Sequence, residues 1–293
     1  MPWSSSPDYI PGDDYVGLPP PHYTAGNSTQ ARANATILML ARNGDVDGAV
    51  RSVRELEDKF NHKFGYPWVF LNEEPFSDDF KRPDVHFHCE VDQDPFVYME
   101  ENDKLYGFTI TMYEYHATIP TLWDTVKKFI ADNPQYVAKD NAMAYQSDNG
   151  GDSYNLCHFW SNFEIASMDF WRGEAYSKYF EALDNTGGFY YERWGDAPVH
   201  SIAVSLFARK DQIHFFDNIG YEHNPYTHCP KGKGLWEQGK CSCNPERSFG
   251  ASRLFHIPTF PHNFFIETNL ELNLVHLPDY DGYSCMRQWD RIG

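Results

Sequence analysis

The sequence has no apolar run approaching the roughly 20 residues needed to cross a bilayer, and its N-terminus lacks the apolar core of a signal peptide. Internal repeats and low-complexity tracts are also missing, which excludes solenoid and fibrous architectures. Positive charge is scarce: 24 Lys and Arg stand against 42 Asp and Glu, a formal net charge of −18. A field of that sign repels nucleic acid and anionic lipid, so neither is expected as a partner. A phosphorylated substrate then needs a divalent cation or a helix N-terminus to offset the surplus locally.

Ring-bearing side chains are abundant, with 22 Phe, 19 Tyr and 8 Trp in 293 residues. They suit stacking against sugars or bases and serve equally as core material. The six cysteines are Cys89, Cys157, Cys229, Cys241, Cys243 and Cys285. An even count, crowded towards the C-terminus, predicts disulfide-stapled loops, and Cys241-Ser242-Cys243 lacks the spacing of a structural zinc site. Sequons at Asn27 and Asn34 point to the same secretory setting. The expectation is therefore a targeting segment that was removed, or an incomplete chain.

Residues 1–33, rich in Pro, Ser, Gly and Tyr, predict an irregular arm. The apolar run at 35–42 predicts a strand buried on both faces. Val46, Val50, Val53, Leu56 and Phe60 follow at helical spacing behind Asp45 as cap, and residues 66–73 predict a second strand. Strand–helix–strand of this kind opens a doubly wound α/β fold. Further along, Asp94 and Pro95 start a helix. Residues 106–114 alternate as one strand, and an amphipathic helix ends before Pro134. Residues 161–171 are expected to be extended. Helices follow from Gly173 and from Asp196, the latter as cap with Val199, Ile202, Ala203 and Leu206 on one face, and then a short strand from Gln212. Residues 249–281 are apolar and loosely patterned, and no fold is assigned to them.

The stretch "FKRPDVHFHCEVDQDPF" concentrates metal-binding residue types. As a strand it places Asp84, His86, His88 and Glu90 on one face, a candidate zinc or manganese set, or simply a solvated edge. Asp92 and Asp94 form an Asp-x-Asp, although Asp94 also serves as a helix cap. Glu164 sits among aromatic residues, where a carboxylate can act as base or nucleophile or merely line a rim. Glu192, Arg193, Trp194 and Asp196 share one short segment, as in a sugar-binding cleft. Glu222 and His223 follow a strand, where α/β sheets gather ligands.

Four long motifs, "YGFTITMYEYHATIPTLWDTVKKFI", "YNLCHFWSNFEIASMDFWRGEAYSKYF", "GGFYYERWGDAPVHSIA" and "IGYEHNPYTHCP", closely resemble the fungal Golgi α-1,2-mannosyltransferases of glycosyltransferase family 15. The resemblance covers residues 35–81 and 83–248, with a short "GYSC" match at 282–285. It implies a GT-A-like (Rossmann-related) α/β fold with a mixed sheet flanked by helices. It implies GDP-mannose as donor, Mn2+ as cofactor and retention at the anomeric carbon. The implied acceptor is a mannosylated glycoprotein or oligomannose, and the implied setting is the Golgi lumen, as a type II membrane protein. By matched motif, Glu164 corresponds to the proposed nucleophile, with Asp196 beside it in the catalytic cleft. His223 corresponds to the metal-ligating histidine, with Asp84 as a second ligand. Glu114, Tyr191, Arg193 and Trp194 are implied to bind substrate. The catalytic domain is then 34–248 and the tail 282–293.

Two departures qualify the resemblance. A family block is missing where Arg82 joins Pro83, and Arg82 stands where the family has the Glu of a metal-binding Glu-Pro-Asp. The nucleotide-binding half is therefore expected to be incomplete and activity impaired. Residues 249–281 interrupt the tail as an atypical insert, and together the two departures suggest a mis-spliced or mis-predicted gene model. Two other readings stand beside the enzyme. One is a non-catalytic, mannan-binding relic of the same fold, and the other a metal hydrolase built on His86, His88 and Glu90.

Overall fold

A computed structural model describes residues 32–40, 46–72, 85–249 and 283–292. Strand β1 (Ile37–Leu40) leads into helix α1 (Val46–Leu56), which continues through a widened turn, Glu57–Asn61, to Phe64. Gly65 stops it at φ 69°, a left-handed conformation that costs glycine nothing. Strand β2 (Trp68–Leu71) then pairs parallel with β1, Ile37 opposite Trp68 and Leu40 opposite Leu71. The strand–helix–strand opening is as expected, though its cap, Asp45, lies outside the described residues.

The burial of β1 is not as expected. Leu38 is 59% and Leu40 73% exposed, and Val69 and Leu71 stand out on the same face. Among the described residues this sheet has two strands and no third neighbour, so only its other face packs, through Ile37, against Phe60 and Tyr66. An apolar run alone therefore overstated burial here.

The remaining strands are short. Strand β3 (Val85–Phe87) pairs with β9 (Tyr221–His223), which pairs with β10 (Tyr226–His228). The segment expected as one strand at 106–114 is two, β4 (Tyr106–Phe108) and β5 (Thr111–Tyr113). They separate because their backbones bond to different partners. Strand β4 lies between β7 (Glu164–Ala166) and β8 (Ile213–Phe215), whereas β5 pairs with β6 (Cys157–Phe159). The architecture is mixed α/β, with four small sheets among the described residues.

Asp94 caps α2 (Pro95–Glu101) as expected, accepting from the backbone N–H of Phe96 and Val97. Helices α3 (Leu122–Asp132), α4 (Met168–Trp171), α5 (Glu174–Asp184), α6 (Gly188–Tyr191) and α7 (Asp196–Phe207) follow. Residues 161–171, expected to be extended, thus divide between β7 and α4. Helix α7 is buried on nearly every side rather than along one stripe. Val199, Ile202, Ala203 and Leu206 pack with Leu122, Val126, Tyr179 and Leu183, while Val204 faces a second core around Tyr106, Phe108 and Phe159. Its buried Ser201 is satisfied by the Phe159 backbone and Ser205 by Gln146. Asp196 is not its cap: Gly195 holds that position, and Asp196 is the first helical residue.

All six cysteines are paired, Cys89–Cys241, Cys157–Cys285 and Cys229–Cys243, in keeping with the expected stapled loops. Cys157–Cys285 ties β6 to the start of α8 (Met286–Asp290), whose Trp289 packs on Phe108 and Phe159. Residues 1–31 of the expected arm at 1–33, and most of the insert at 249–281, lie outside the described residues. No helix among the described residues is long and apolar enough to cross a membrane.

Candidate active site

Strand β7 begins at Glu164, opposite Phe108 of β4. Period-two alternation puts Tyr106 on the same face as Phe108, so its hydroxyl reaches Glu164 and donates to Oε2 at 3.0 Å. From α7, His200 Nδ1 lies 3.2 Å from the same oxygen, its ring against Trp171. Burial alone lowers the proton affinity of His200. The hydrogen bond and charge of Glu164, with the charge of Asp196, outweigh it and hold His200 above its ordinary value. Tyr106 is pushed far up, first by burial and then by Glu164.

Asp196 stands one helical turn before His200 on the same side of α7. Its Oδ2 accepts from the Ser161 hydroxyl at 2.9 Å. Its charge also reaches Glu114, whose carboxyl is raised first by burial and further by Asp196, against a hydrogen bond from the Tyr115 N–H. His158 Nδ1 lies 3.9 Å from Glu114. Burial pushes His158 down to about 4, so at neutral pH it carries no charge to offset that carboxylate. Glu114, Glu164 and Asp196 thus share one electrostatic neighbourhood.

The loop expected to precede α7 contains the short helix α6, followed by Arg193 in the left-handed region at φ 68°. Glu192 accepts from Trp194 Nε1 at 2.7 Å and from the Thr121 hydroxyl at 2.7 Å. Those bonds hold its carboxyl low although burial acts the other way. Trp194, expected to bind substrate, is only 5% exposed and packs on Phe189. It is a wall of the core, because its ring face is already occupied. The open rings are Tyr191, 89% exposed, and Tyr190, which the sequence reading passed over within "FYYE".

His223 lies within β9 rather than after a strand. It sits opposite Val85 and Tyr226, its ring 4.8 Å from Trp160. The stretch Trp160–Glu164 therefore links three sites: Trp160 at His223, Ser161 at Asp196, and Glu164 itself. Glu222 points the other way and is held by His88 at 2.9 Å and Thr227 at 2.9 Å. Asp84 lies outside the described residues, immediately before the Val85 that pairs with His223.

The opening His/acid cluster does not converge. Strand β3 ends at Phe87, His86 binds Glu55 at 3.1 Å, His88 binds Glu222, and Glu90 binds Lys240 at 3.0 Å. Each histidine has its own carboxylate, and among the described residues His86, His88 and Glu90 form no compact trio of ligands. Among the described residues the one compact trio of potential ligands is Cys89, Cys241 and Cys243, all locked in disulfides. Among the described residues His223 belongs to no compact group of three potential metal ligands.

The sequence profile of the glycolipid 2-alpha-mannosyltransferase family matches residues 13–82 and 81–256. The chain belongs to this family. Glycolipid 2-alpha-mannosyltransferase 2 of Candida albicans is 42% identical over 296 residues, 74% of this chain and 64% of its own length. The Saccharomyces cerevisiae glycolipid 2-alpha-mannosyltransferase is 37% identical, over 74% of this chain and 67% of its own. This family member therefore spans less than two thirds of its Candida relative. Among solved structures, a mannosyltransferase of S. cerevisiae in complex with GDP superposes with a TM-score of 0.75 at 30% identity, covering 91% of this chain and 84% of that one. Core-mannan synthase A of Aspergillus fumigatus, in its Mn/GDP form, gives 0.73 at 30% identity over 92% and 87%. The GT-A-like mixed α/β fold expected for the family is the fold of this chain.

Proposed function

We propose that this chain is the catalytic domain of a retaining α-1,2-mannosyltransferase. It would move mannose from GDP-mannose to mannose-terminated glycans of glycoproteins, with Mn2+ as cofactor, in the Golgi lumen. What supports this reading is the meeting of Glu164 and Asp196 around His200, with Glu114 within reach of the Asp196 charge. A carboxylate held there opposes the positive charge that builds on the anomeric carbon as GDP leaves. Glu164 either attacks from beneath the sugar or stabilises that charge during attack from the same face. Asp196 and Glu114 are suited to bind acceptor hydroxyls, with Tyr191 and Arg193 at the rim. Manganese, where bound, neutralises the departing diphosphate. His223 is this chain's contribution, with Asp84 proposed beside it, and the described residues support no fuller site.

The nucleotide half is proposed to be incomplete. The family match breaks and restarts at residues 81–82, where Arg82 precedes Pro83. Relatives align over 296 positions while engaging only 74% of this chain, as a block absent from it would require. GDP with manganese, titrated into the purified protein by calorimetry, should bind weakly or not at all. Micromolar affinity would overturn the impairment. Mannose transfer above that of a Glu164→Gln control supports the enzyme. Binding of mannan with no transfer supports instead a relic of the same fold.

A further inference from the structure

We propose that His200 is the positioning residue of the Glu164 carboxylate: with Tyr106 it engages Oε2 and leaves Oε1 as the oxygen presented to the sugar. The proposal rests on the reading of Glu164 as the catalytic carboxylate and deepens it. Both contacts fall on one oxygen, 3.0 Å from the Tyr106 hydroxyl and 3.2 Å from His200 Nδ1. They come from different directions, β4 and α7, so the carboxylate is fixed in position and in rotation. Tyr106 is fully buried in β4, the central strand of its sheet, and the His200 ring packs on Trp171 at 4.5 Å and Tyr176 at 6.0 Å. A carboxylate pinned by one oxygen has the other aimed at a single point, the pre-organisation that a nucleophile or a charge stabiliser requires.

The titratable groups facing His200 are Glu164 from β7, Asp196 from its own helix, and the hydroxyl-bearing Tyr106 and Tyr176. The acids favour imidazolium and burial opposes it. A charged His200 donates to Glu164 Oε2 and holds that oxygen in place. When His200 loses its proton at higher pH, the pair loses that charge and the carboxylate is held less firmly.

Two readouts test this in the full chain. In the first, ring-nitrogen NMR follows His200 against pH in the wild type, Glu164→Gln and Tyr106→Phe. The expected result is titration above the ordinary histidine value in the wild type, and a clear downward move in Glu164→Gln, where Asp196 alone opposes burial. An unchanged His200 titration in Glu164→Gln overturns the proposal, whether or not the chain turns over. In the second, transfer from GDP-mannose is measured. His200→Gln keeps a donor without the charge and should lower kcat roughly 10–100-fold. It should leave KM for the donor unchanged and abolish the alkaline fall in kcat. A variant with wild-type kcat and pH profile also overturns the proposal. If Glu164→Gln itself retains full activity, the catalytic reading of Glu164 fails, whereas the NMR result still decides the His200–Glu164 contact.

Discussion

Glu192 accepts the Trp194 indole N–H at 2.7 Å through Oε2, and its other oxygen takes the Thr121 hydroxyl at 2.7 Å. One half-buried carboxylate thereby ties α6, the start of α3 and a core tryptophan into one corner, just ahead of Asp196. Glu192→Ala leaves the buried indole donor unmet, at an expected cost of about 1–3 kcal/mol. Gly188→Ala should cost about as much, roughly 1–3 kcal/mol, because a Cβ at that position would collide with the Trp194 ring. Denaturant unfolding of the two variants checks both.

Tyr191 offers the converse case. At 89% exposure it carries little of the fold, so Tyr191→Ala should change stability by less than about 0.5 kcal/mol. If the rim binds acceptor, its KM for an oligomannose acceptor should rise several-fold with donor KM unchanged. Parallel melting curves and initial rates separate the two effects.

Stability should fall as acidity increases below pH 6.5. Burial depresses His158 and His228 to about 4 each, while in the unfolded chain both take a proton near 6.5. Between those values the unfolded state binds more protons, so each histidine removes up to about 1.4 kcal/mol per pH unit as pH drops. Below about 4 the loss levels off. His158→Gln should therefore lose less of its melting temperature than wild type between pH 6.5 and 4, as a pH series of thermal melts would read.

Removing the Cys157–Cys285 link, as Cys157→Ser with Cys285→Ser, releases a closure spanning 128 positions. The expected loss is about 2–5 kcal/mol in denaturant unfolding. Activity should decline with it, since α8 would no longer be tied to β6 while packing Trp289 on Phe108 beside β7.

The exposed face of Leu38, Leu40, Val69 and Leu71 favours self-association in water. Leu38→Thr with Leu40→Lys should keep the protein monomeric at concentrations where the wild type associates, with little change in melting temperature. Light scattering across a concentration series measures it.

Local signals were legible where one residue decides an element. Asp94 with Pro95 starts α2, and Leu122, Val126 and Phe129 mark the buried stripe of α3. The three-residue strands β6, β9 and β10 were not, because so short a run shows no period, and their existence depends on partners far along the chain. The split between β4 and β5 was hidden for the same reason. His200 escaped notice although its signal was present: Asp196 and His200 at i and i+4 share a helix face. What no local pattern shows is that this face meets Glu164, since that requires β7 and α7 to be packed together.

Strand β2 is registered against β1, whereas β3 is held by β9 and, just beyond it, by Cys89–Cys241. The chain on either side of the Arg82–Pro83 junction thus has its own strand partner, and Glu55 of α1 bonds across to His86 and the Phe87 N–H, so the two sides are held to each other without the junction. That makes the junction a natural grafting point. A relative's longer segment could be spliced in between β2 and β3 while the downstream half keeps its register, so such a chimera and the present chain would share the same arrangement around Glu164.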